Sequence, residues 1–101
     1  MAPFTKQVGF VAYQFNPAAL AGKDEYAIEE IIIDELDLPD GIKSVFIDDR
    51  GNLDLVIYDY SNEWPKKYFN LRPGEWLTNN GQMVFAVVSD VEFRKFATPA
   101  P

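Results

Sequence analysis

The side chains that could do chemistry in this sequence are overwhelmingly carboxylates. Between Asp24 and Glu63 stand 13 acidic residues against Lys43 and Arg50, a local charge of −11; the rest of the chain carries 3 acidic and 7 basic residues, a charge of +4. Adjacent carboxyls such as Glu29 and Glu30 have the right chemistry for general acid/base work, but neighbours on a helix point in different directions and share no target. The run "DDRGNLD" invites a calcium loop. Counting from Asp48, however, the sixth position is Leu53 where that loop needs glycine. Histidine and cysteine are both absent. The commonest proton shuttle, the thiolate nucleophile, disulfides and the usual zinc ligands are therefore missing. The expectation is a protein that is not an enzyme and holds no cofactor or metal.

Two kinds of binding remain. A surface this acidic repels a phosphate backbone and attracts basic proteins, so direct nucleic-acid binding is not expected. The candidate contact residues are Glu25, Glu29, Glu30, Asp34, Glu35 and Asp37, with Trp64 as an aromatic anchor. The alternative is a small-molecule or nucleotide-binding module, with Tyr68 and Trp76 beside Trp64 as stacking platforms and Lys66, Lys67 and Arg72 as phosphate holders. The six glycines are scattered singly and form no phosphate-cradling loop. For Trp76 the competing reading is a core ring that locks a hairpin.

The elements that must position these residues follow from periodicity. "KQVGFVAYQF", residues 6–15, is apolar on both faces and reads as a central strand, with Gly9 marking a bulge or close approach. "NPAALAGK" reads as a loop with room for one helical turn. Asp24 then opens a segment in which Ile28, Ile31, Ile32 and Leu36 share one helical face, so a helix spans about 24–36 with Asp24 as its cap. The β-branched triplet Ile31 to Ile33 and the acidic C-terminal end leave a strand as the competing reading. Pro39 ends the element. "IKSVFID" and "LDLVIYDY" flank "DRGN" and predict a β-hairpin over 43–60. "SNEWPKKYFNLRPG" has no sustained period and reads as an irregular connection. "EWLT", "NNG" and "QMVFAVVS" predict a second hairpin, and "SDVE" has the capping-box spacing that starts a short final helix. Residues 97–101 read as a frayed tail. The sum is one α+β domain with a mainly antiparallel sheet of about five strands, one acidic helix and a short C-terminal helix. No apolar run is long enough to cross a bilayer and "MAPFTKQVGF" lacks a leader pattern, so a soluble, unsecreted protein is expected.

Three short motifs stand at the two ends of the chain: Tyr13-Gln14-Phe15; Pro73-Gly74-Glu75-Trp76-Leu77; and Phe93-Arg94-Lys95-Phe96. In these the chain resembles a group of small bacteriophage and prophage proteins of unknown function. Their turn more typically carries Asp than Glu before the Trp, and their usual Tyr-Pro after the hairpin is Phe85-Ala86 here. The resemblance covers mainly the first 15 and last 30 residues and leaves the acidic middle unexplained. It implies a phage-encoded accessory protein in the cytoplasm of a bacterial host. Combined with the charge, the expectation is binding and modulation of a host protein, with imitation of DNA before a nucleic-acid-binding partner as the sharpest form. A virion structural or assembly component is a further alternative.

Overall fold

In the computed structural model, residues 10–61 and 63–96 are described. The chain runs through strand β1 (Val11–Gln14), a single turn α1 (Pro17–Leu20), helix α2 (Glu25–Leu36), strands β2 (Ile42–Ile47), β3 (Leu53–Tyr58), β4 (Lys66–Leu71), β5 (Trp76–Asn79) and β6 (Phe85–Val88), and helix α3 (Asp90–Phe96). The start of the expected first strand, Gly9 and the expected tail at 97–101 lie outside the described residues.

Helix α2 forms over the residues that the apolar spacing predicts. The Ala27 N–H donates to the Asp24 carboxylate at 2.8 Å, satisfying one of the amides left open at the helix start. Ile28, Ile32 and Leu36 are buried on one face. Burial of that stripe outweighs the modest helix cost of the β-branched triplet and settles the helix-or-strand alternative. At the far end Asp37 turns left-handed, φ 51°, and Pro39 follows.

The six strands form two antiparallel sheets of three, ordered β1-β5-β6 and β2-β3-β4, rather than one sheet of about five. The additional strand is β4, in the stretch expected to be irregular. Its residues pair along their whole length with β3, from Leu53 opposite Leu71 to Tyr58 opposite Lys66. Its alternation is disguised because Lys67 occupies an inward position beside Phe69 and Leu71.

One core holds the sheets together. Tyr13 and Leu77 of the first sheet, with Phe15 just after β1, meet Val45, Leu53, Leu55, Ile57 and Leu71 of the second, under Ile28, Ile32 and Leu36 of α2. The other face of the first sheet carries Ala12, Trp76 and Val88, which pack against Phe93 of α3. The Glu92 N–H donates to the Ser89 hydroxyl at 3.1 Å, the capping contact that "SDVE" predicts. The other face of the second sheet, bearing Phe46, Asp54, Val56, Tyr58 and Tyr68, points away from α2.

Candidate functional site

The 3.6-residue repeat sets where the α2 carboxylates stand. Glu25 and Glu29 fall on one ridge at i,i+4; Glu30 and Asp34 fall on the next, below the exposed ring of Tyr26. Glu29 is half-buried between them. Its carboxyl is raised above the ordinary range, first by burial and then by the charges of Glu25 and Glu30. Among the described residues the ion pairs are Lys67–Asp59, Arg94–Asp90 and Lys95–Glu92, so no cation of the described residues pairs with an α2 carboxylate. Asp34 and Glu35 sit at the negative end of the helix dipole with no basic residue in the last turn. Glu35 leaves the group: it faces the first sheet, where its charge, after burial, helps push the Tyr13 phenol up to about 12. Asp37 caps the helix and stands with Asp34 beside a groove of about 510 Å³ that reaches the β5–β6 turn.

The residues of the ligand-binding alternative do not converge. Trp76 is buried with its ring stacked on Phe93, as the core-ring reading expects, and only its edge lines a shallow pocket with Tyr13 and Ile31, away from Trp64 and Tyr68. Lys67 is committed to the fold. Its ammonium stands 3.2 Å from the buried Asp59 carboxylate, donates to the Met83 carbonyl and lies 5.3 Å over the Phe85 ring. The Ser61 hydroxyl, and then Lys67, hold Asp59 below the usual carboxylate range. That engagement is why a lysine occupies an inward strand position. Arg72 follows β4 and lies about 20 Å from Lys66 at the rise of an extended chain. Trp64, Lys66 and Tyr68 remain exposed.

The last two belong to a surface that composition alone did not reveal. Tyr68 is 69% exposed opposite Val56, Phe46 is exposed opposite Asp54, and Tyr58 stacks on the exposed Tyr60 with centroids 5.1 Å apart. Trp64 lies in the β3–β4 connection and is exposed. The signal that could have found this face was the alternation of Asp54, Val56 and Tyr58 against Leu53, Leu55 and Ile57, read for its outward side.

The terminal motifs meet in space. The Phe15 N–H donates to the Glu75 carbonyl at 3.0 Å and the Gly74 N–H to the Phe15 carbonyl at 2.8 Å. Gln14 donates its amide to the Gly74 carbonyl at 3.1 Å, and the Glu75 carboxylate accepts from the Arg72 N–H at 2.7 Å. The Trp76 indole N–H and Arg94 each donate to Asp90 at 2.9 Å. Gly74, at φ 90°, takes a backbone shape that side chains disfavour. The hydrogen bonds of Gln14, Gly74, Glu75, Trp76 and Asp90 thus serve the fold.

Among the described residues no group of acidic side chains is placed to hold a metal ion, and no helix is long and apolar enough to cross a membrane. No protein-family model, curated protein or solved structure matches the chain.

Proposed function

We propose that this chain is a phage-encoded accessory protein that works in the bacterial cytoplasm by binding a basic host protein through the outward face of α2, with imitation of DNA as the sharpest form of that activity. The observation that supports it is the pair of carboxylate ridges, Glu25 with Glu29 and Glu30 with Asp34, which no cation among the described residues balances. Like charges held side by side cost stability, and at Glu29 the charges of Glu25 and Glu30 add to burial in raising the carboxyl. A cationic partner relieves that cost on binding.

The test is capture of partners from bacterial lysate at moderate salt, with and without competing DNA. A nucleic-acid-binding protein that DNA displaces, and that the E25Q/E29Q/E30Q/D34N variant fails to hold, is the expected result. Undiminished capture by that variant rules out the surface.

The exposed aromatic face favours a second reading, in which Trp64 and Tyr68 stack a small ligand and Lys66 holds its phosphate. A panel of nucleotides that leaves the melting temperature unchanged counts against it.

A further inference from the structure

The groove at the C-terminal end of α2 has two kinds of wall. Ile33, Leu38, Pro39 and Met83 make it apolar, while Asp34 and Asp37 put two carboxylates on its rim. The negative end of the α2 dipole points the same way. An anion is repelled here, and a purely apolar ligand would desolvate both carboxylates without a counter-charge. An apolar stem ending in a cation satisfies both walls: the stem lies along the isoleucine, leucine, proline and methionine surface and the charge meets the rim.

The walls are tied to one another by hydrogen bonds. Asn79 is buried; its amide donates to the Leu36 carbonyl at 2.8 Å and its oxygen accepts the Gly81 N–H at 3.1 Å, which ties the helix end to the β5–β6 turn. Lys67 holds the Met83 carbonyl from the other side. Among the described residues the non-glycine positions with positive φ are Asp37, at 51°, and Met83, at 60°, and both line this groove. At Asp37 this is the left-handed cap that closes α2, its N–H bonded to the Ile33 carbonyl.

From these features we infer that the groove seats the side chain of an arginine or lysine projecting from the basic partner, and so anchors that partner at the end of the acidic helix. The inference rests on the partner reading for the source of the cation, and its chemistry can be tested without any partner. The probe is n-butylguanidinium, titrated against the isotope-labelled full chain and followed by amide chemical shifts. Saturable shifts at Ile33, Asp37, Leu38, Gly81 and Met83 are expected. They should be absent with n-butanol, which has the stem alone, and with guanidinium, which has the charge alone. D34N/D37N should weaken binding about fivefold or more; asparagine tolerates the left-handed position, so the helix end is kept. Equal response to n-butanol or guanidinium, unchanged affinity in D34N/D37N, or shifts confined elsewhere overturns the site.

A second arm uses the blocked tripeptide acetyl-Ala-Arg-Ala-amide. Its binding to the same residues supports a protein side chain as the occupant. If n-butylguanidinium binds and the tripeptide does not, the groove takes a free small cation and the assignment to a partner is overturned. Asp34 belongs to both surfaces, so lysate capture by E25Q/E29Q/E30Q, which leaves the groove rim intact, bears on the helix ridges alone, and the two readings fail separately.

Discussion

The indole of Trp76 and the ring of Phe93 lie face to face, centroids 3.8 Å apart and planes 3° from parallel. Phe10 meets the same phenyl ring edge-on at 5.8 Å. This contact joins α3 to the first sheet, and the Asp90 carboxylate fastens its polar edge by accepting the indole N–H. W76F keeps most of the apolar contact and removes the N–H; it should cost about 1–2 kcal/mol. F93A empties a fully buried site and should cost about 3–5 kcal/mol. Urea unfolding of the two variants separates the contributions. A smaller loss in F93A than in W76F would show that α3 does not anchor the sheet.

Acid should weaken the same region. The Trp76 hydrogen bond, and then Arg94, hold the Asp90 carboxyl below its usual range, and Asp59 is lowered by Ser61 and Lys67. A carboxyl lowered by folding adds stability above its unfolded value of about 3.9, and that stability is lost as pH falls through the folded value. The difference in unfolding free energy between wild type and D90N should therefore shrink as pH falls below about 4. A difference that stays constant down to pH 2 would contradict the assignment.

Glu29 should behave in the opposite sense. Its folded carboxyl is raised, so its ionisation weakens the fold as pH rises through that folded value. E29Q should be more stable than wild type at pH 7, by about 0.2–0.5 kcal/mol for each like-charge pair relieved. The advantage should vanish at low pH. Melting temperatures at pH 3 and pH 7 decide it.

The buried amide of Asn79 bridges two elements that nothing in local sequence connects. N79A leaves the Leu36 carbonyl without its buried partner and should cost about 1–3 kcal/mol, while the N–H of the exposed Gly81 can turn to water. Amide exchange should speed up at the end of α2 and in the β5–β6 turn together. Faster exchange in only one of them would show that the two are not coupled through this side chain.

On the aromatic face the prediction is near silence in stability. Tyr68 and Phe46 are exposed, so Y68S/F46S should shift unfolding by no more than about 0.5 kcal/mol per site. Binding of any ligand or partner that uses this face should fall. Unaltered binding by every ligand found would assign the aromatic rings to solvent alone.

Much of this architecture is legible in the residues. The Ile28, Ile32, Leu36 stripe and the Asp24 cap define α2, and the alternation from Leu53 to Tyr58 defines β3, because both depend on local periodicity. β4 is not legible, because Lys67 is inward only on account of Asp59 and Met83, which are remote in sequence or placed by a turn. The division into two sheets is hidden for a related reason, since pairing order is decided by contacts across the whole chain. The acidic ridges are visible as composition, whereas the turning of Glu35 towards Tyr13 is not. The groove is least visible of all: its walls come from α2 and the β5–β6 turn, and Asn79, which joins them, reads in sequence only as part of a hairpin signal.

The pairing of β1 with β5 sets a timetable for folding. Strands β2, β3 and β4 are consecutive and can assemble as each leaves the ribosome, but Gln14 and its partner Gly74 are 60 residues apart. During synthesis β1 therefore waits without β5 until Trp76–Asn79 have emerged. Closing so long a loop is slow, so β1–β5 docking should be the late step in refolding and the interval in which the chain is most prone to aggregate.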